Sequence, residues 1–227
     1  MLSMVDLKND IRQICTDMNG ISENGDRYFC DKFCDALQDY LAEAIITSAT
    51  VDTGTASGGV YTGYTHGVTT GANKGIRLQK VPDPLDPTNE VYALSLALQA
   101  SFSTPDATDA MFALMMANNI NTALLSASIS VTTTGTTVIG EVTSPASCDG
   151  HGVFTGVPLT ISAALATSFA SMLFNAQEQT PGYDGNNEFA ETMASSIHTY
   201  MITPGCLSLI YASVTPPFAC TSVGLVS

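Results

Sequence analysis

The apolar residues of the chain recur at two spacings, and the spacings alternate in a fixed order. Across residues 29–46, Phe29, Phe33, Leu37, Leu41, Ala44 and Ile45 fall on one helical stripe while Asp31, Asp35, Asp39 and Glu43 lie off it, which predicts an amphipathic helix. Residues 47–70 follow as a Thr/Ser/Val/Gly ladder, in which β-branched side chains favour strand and glycines allow tight turns, with Gly-Val-Tyr-Thr-Gly at 59–63. An apolar, helix-like run over 91–102 closes the unit. The order then returns. Residues 107–125 predict a second helix, with Thr104 as N-cap and Pro105 at the first helical position. A second ladder covers 129–143, Gly-Val-Phe-Thr-Gly at 152–156 matches the first pentapeptide with Phe for Tyr, and 160–174 closes this unit with another apolar run. A third helix is expected at 188–202, and an apolar tail at 207–214 adds one more strand.

This order predicts an α+β fold of helices alternating with Thr/Ser/Gly-rich β-hairpins, with an internal pseudo-duplication. Residues 1–28 form an N-terminal helical arm, 29–103 and 104–176 the two helix/ladder/helix units, and 177–227 a C-terminal helix and tail, the units making one domain. Chance similarity in a chain rich in Gly, Val and Thr is the alternative to duplication. The Pro/Gly-bearing stretches 82–88, 144–152 and 180–185 read as connecting loops. The longest apolar stretch, 159–176, is interrupted by Thr160, Ser162, Thr167, Ser168 and Ser171 and lacks a basic flank, so it reads as a core helix and not a membrane span. Residues 1–18 alternate charged and apolar side chains without an apolar h-region, so export through a signal peptide is not expected.

Charge narrows the functional classes. Only 12% of residues are charged, yet the net charge is −14, whereas an ordinary globular domain is about 25% charged. All seven basic residues, Lys8, Arg12, Arg27, Lys32, Lys74, Arg77 and Lys80, lie at or before position 80, and the remaining 147 residues carry eleven carboxylates and no Lys or Arg. Phosphate, DNA and anionic lipid need Lys or Arg to neutralise them, so neither a nucleic acid nor a membrane is expected as partner. The polar surface must be Ser, Thr, Asn and Gly. Such a surface suits secreted proteins and subunits buried in assemblies, where a charged side chain would have to be desolvated.

Each candidate for chemistry has a structural reading beside it. Cys30 and Cys34 share a helical face but have no second pair at zinc-finger spacing, and Cys15, Cys148, Cys206 and Cys220 are scattered, so reduced structural thiols are expected and no metal site. His66, His151 and His198 sit in unrelated contexts, with no Gly-x-Ser-x-Gly, and His198 falls on the polar side of its helix, in solvent. Residues 71–75, Gly-Ala-Asn-Lys-Gly, lack the Gly-Lys-Ser/Thr ending of a phosphate loop. Asp83, Asp86, Asp106, Asp109, Glu188 and Glu191 could pair as in glycosidases, but the chain has no Trp for a sugar platform. Asp184 to Glu188 offers oxygen ligands for Ca²⁺ without the alternation of an EF-hand, and reads better as a loop with Asn186 or Asn187 capping the next helix. No catalytic residue and no cofactor is therefore expected. Lys74, Arg77 and Lys80 form the one local basic cluster, in a Gly-flanked loop. The cluster is either solvated or a dock for the acidic region of a neighbouring copy, with Arg77 contributing most through its bidentate fork.

Helices alternating with ladders such as 128–143, the two Gly-Val-Tyr/Phe-Thr-Gly pentapeptides, and the absence of catalytic motifs and of a signal peptide together resemble small virion structural proteins of tailed bacteriophages, of the neck, tail or baseplate type. The resemblance covers the texture of residues 29–175 and carries over no functional residue. It implies a homo-oligomeric assembly subunit, made in the host cytoplasm and located in the virion, whose partners are copies of itself and other virion proteins. The alternative is a surface-exposed binding module, a capsid decoration protein or adhesin, whose hairpins contact a glycan or host surface. A carboxylate-based hydrolase ranks behind both.

Overall fold

Ser3 stands directly ahead of the first amphipathic run and caps it. Its hydroxyl accepts from the Asp6 amide at 3.2 Å, and α1 (Met4–Met18) follows with Leu7, Ile11 and Ile14 on its buried side. The computed structural model describes residues 2–44, 46–56, 59–69, 75–105, 107–139, 142–154, 182–202, 207–213 and 219–226, with five helical positions between 163 and 171. The expected pentapeptide end at 155–156, most of the 160–174 run, Lys74 and Asp106 lie outside the described residues.

The stripe read at 29–46 forms α2 (Gly25–Ala42), in which Phe29, Phe33, Leu37 and Leu41 are all buried. α3 (Ala93–Phe102), α4 (Asp109–Leu125) and α5 (Gly185–Ile202) complete the described helices. α1 packs on α2 and α5, α2 on α3, and α3 on α4. Phe29 is a junction of this bundle: its ring stacks on Phe33 at 5.8 Å and meets Phe102 at 5.7 Å and Phe189 at 6.1 Å, so α2, α3 and α5 converge on one side chain. Ion pairs from α1, Lys8 to Glu191 and Arg12 to Asp184 at 2.7 Å, tie the segment read as an arm to α5. Among the described residues no helix is long and apolar enough to cross a membrane.

Nine strands accompany the described helices: β1 (Ile46–Ala56), β2 (Gly59–Thr69), β3 (Gly75–Arg77), β4 (Lys80–Pro82), β5 (Glu90–Tyr92), β6 (Ser128–Ile139), β7 (Val142–Phe154), β8 (Leu207–Ser213) and β9 (Ala219–Val226). Seven form an antiparallel sheet in the order β2-β1-β9-β8-β7-β6-β3, and β4 pairs with β5 separately. β2 also comes alongside β6, so the sheet curls back on itself. The class is α+β.

Several boundaries differ from expectation for identifiable reasons. The 144–152 stretch is not a loop but part of β7, where Pro145 stands opposite Thr136. Thr104 does not cap α4: its hydroxyl donates to Ala100 O at 3.1 Å at the end of α3, while Thr108 accepts from Met111 N at 3.3 Å and starts α4 at Asp109. α5 begins at Gly185, capped by neither Asn186 nor Asn187. Asp184 accepts from the Asn187 amide at 3.0 Å and does the capping. The run at 91–102 opens with strand, since Val91 and Tyr92 pair with Val81 and Lys80. β9 had no separate expectation, and the basic segment read as a loop contains β3 and β4.

Candidate functional site

The basic segment owes its shape to one polar side chain on α2. Gln38 follows the core residue Leu37 and reaches to β3, where its Nε2 donates to Ile76 O at 3.1 Å and its Oε1 accepts from Leu78 N at 2.8 Å. The side-chain amide thus stands in for a neighbouring strand along an edge whose other side is already paired with β6. With the backbone held there, strand alternation does the rest. Ile76 and Leu78 turn into the core and Arg77 and Gln79 turn out, while Lys80, exposed as well, opens β4. A bond from Ala93 N to Gln79 O at 3.0 Å fixes the entry to β4.

Between this segment, the C-terminal turns of α2 and the junction of α4 with β6 lies an open cleft of ≈ 730 Å³. Arg77 and Lys80 provide its cations, Ala42 and Tyr92 part of its apolar wall, and Ser126 and Ser128 its hydroxyls. Lys80 stands opposite Tyr92 in the β4–β5 register, with its ammonium 4.8 Å from the ring centroid, a cation–π distance. Burial first, then the nearby Asp35 carboxylate, pushes the Tyr92 phenol up, so the ring facing Lys80 is neutral at ordinary pH. None of the described lining residues is Asp, Glu, His or Cys. The arrangement offers two cations on a partly apolar surface, which suits a carboxylate-bearing polypeptide segment.

Two of the three cations singled out in the sequence, Arg77 and Lys80, line this cleft, and Lys74 lies outside the described residues. Gln38, Tyr92 and Ser128 were not foreseen: Gln38 borders a helical stripe as many solvated glutamines do, and the other two belong to elements brought near only by the fold.

Several of the other candidates are engaged structurally. Cys30 and Cys34 are fully buried on α2; burial, then the Asp31 and Asp26 carboxylates, pushes the Cys30 thiol up to about 12, and burial raises Cys34 as well. Among the described residues no group of three His, Cys, Asp or Glu is placed to hold a metal. His198 is not in solvent on a polar face: its Nδ1 lies 2.8 Å from Tyr40 Oη, because α5 packs that side towards α2. His66 and His151 fall in β2 and β7. Asp83 pairs with Arg27, Glu191 with Lys8, and Asp86 accepts from the Thr88 hydroxyl at 2.6 Å. Asp184 is occupied by Arg12 and the α5 cap. Comparison of the chain with protein-family models, with curated proteins and with solved structures returns no match.

Proposed function

We propose that the protein is a non-enzymatic structural subunit of a virion, a neck, tail or baseplate component of a tailed bacteriophage, acting through interfaces between copies of itself and other particle proteins. The observation that carries this reading is the Arg77/Lys80 cleft at the sheet edge of a chain whose net charge is −14 and whose last 147 residues have no basic side chain. A cationic cleft on so acidic a chain is complementary in charge to a second copy, which favours association of like chains through the cleft.

The pseudo-duplication belongs to the same proposal. α2 leads within a few residues into β1, and α4 into β6. Both following strand pairs are antiparallel over eleven positions, closing at Ala56 with Gly59 and at Ile139 with Val142. Two copies of one helix–hairpin unit would produce this agreement.

Imaging of the purified full chain by negative stain at low salt tests the reading. Defined oligomers are expected, and reversal of all three cations, Lys74→Glu with Arg77→Glu and Lys80→Glu, is expected to disperse them. Single particles at every concentration, together with binding to a glycan or cell surface, would favour the alternative of an exposed binding module.

A further inference from the structure

The loop between β4 and β5 is clamped more tightly than its connection requires. Asp83 N donates to Asn89 O at 2.9 Å, Asp86 N to Asp83 O at 3.2 Å and Asn89 N to Asp86 O at 2.9 Å. Side chains repeat the lock: Asp83 accepts from Leu85 N at 2.9 Å, and Asp86 accepts from the Asn89 amide at 2.7 Å. Pro84 and Pro87 fix φ on either side of the tip. Asp83 itself is only 5% exposed and is anchored by Arg27 in the first turn of α2. At the tip stands Leu85, 79% exposed, the most exposed large hydrophobic side chain among the described residues. A segment already ordered loses little entropy on binding, so an apolar side chain held in water on such a loop is pre-organised for contact.

We propose that Leu85, with the exposed carboxylates Asp86 and Glu90 beside it, docks into the Arg77/Lys80 cleft of a second copy of the chain. This rests on the reading of the protein as an assembling subunit and names the contact through which it assembles. The two surfaces are complementary: an apolar tip flanked by acids meets an opening with an aliphatic and aromatic wall and two cations. They also sit at opposite ends of the β4–β5 hairpin. Lys80 and Tyr92, the first pair of the hairpin, line the cleft, and Leu85 stands at the hairpin's far end, held there by Pro84, Pro87 and the bonds to Asp83 and Asp86. The clamp keeps the tip from folding back into its own chain's cleft. The contact therefore joins two copies, which either pair reciprocally about a two-fold axis or run head to tail into a ring or filament.

Light scattering of the full chain over a concentration series, with two variants and their mixture, tests the docking. Leu85→Asp removes the tip, and Arg77→Glu with Lys80→Glu reverses the cleft; all three positions are exposed, and circular dichroism checks that the helices are retained. Each variant alone is expected to weaken self-association by about tenfold or more. Mixed in equal amounts, the two should give a one-to-one pair and stop, because the Leu85→Asp chain keeps an intact cleft and the charge-reversed chain an intact loop. Variants that assemble like the wild type, or a mixture that forms no pair, would overturn the docking while leaving the assembling-subunit reading in place. A wild-type chain that stays single at every concentration would end both.

Discussion

Gln38 is the side chain on which the cleft depends. Replacing it with Ala leaves Ile76 O and Leu78 N without their partner in a half-buried position, and the expected cost is about 1–3 kcal/mol in denaturant melts. Gln38→Glu is expected to recover only part of the loss, since a carboxylate can accept from Leu78 N but faces Ile76 O with a second acceptor. The core thiols give a second residue-level expectation. With Cys30 pushed up to about 12 by burial and Cys34 raised beside it, neither carries appreciable thiolate at about pH 8. Peptide mapping after alkylation of the native protein should find both unmodified, and both should react once the chain is unfolded. Rapid native labelling of either would contradict the buried placement. Much of this scale was legible in the sequence, since Phe29, Phe33, Leu37 and Leu41 recur every fourth residue and are all buried. Gln38 was not, because only the fold brings β3 within reach of its amide.

At the scale of elements, the start of α4 separates two threonines. Thr108→Ala removes the hydroxyl that accepts from Met111 N and is expected to cost about 1 kcal/mol. Thr104→Ala removes only a back-bond to Ala100 O, with an expected effect within about 0.5 kcal/mol. Paired thermal melts distinguish them. Both threonines are good caps by residue type, and α4 starting at Asp109 is decided by packing, which no local pattern reveals. Pro145 repeats the lesson: a proline reads as a break, and its place in β7 opposite Thr136 shows only in the strand register. The β4–β5 loop carries a pH dependence. The Leu85 N–H first, then Arg27, hold the Asp83 carboxyl below the usual carboxylate range; the Thr88 hydroxyl does the same for Asp86. A carboxyl depressed in the folded state adds stability that is fully present above its unfolded pKa of about 3.9 and is lost as pH falls through the folded value. The urea midpoint of the wild type should therefore fall on acidification below about pH 4. Asp83→Asn should start lower at neutral pH and fall less steeply over the same range. Parallel curves for the two proteins would show that Asp83 carries no such linkage.

For the molecule as a whole, the division of charge matters more than any single contact. Ten carboxylates and seven basic residues share the first 80 positions, and eleven carboxylates stand without a base in the rest. Lys8, Arg12, Arg27 and Lys32 pair with Glu191, Asp184, Asp83 and Asp35 within the chain, and two further cations, Arg77 and Lys80, line the cleft. The sequence alone located the basic cluster. It could not show that this cluster flanks a cleft, because the walls come from α2, β5 and the α4–β6 junction, which are far apart along the chain. The measurement that bears most directly on the proposed assembly is the molar mass of the purified full chain by light scattering at low and moderate salt. A mass above that of one chain, rising with concentration and falling as salt screens the cleft from its acidic neighbour, is expected. A single-chain mass at every concentration and both salts would contradict assembly through this surface.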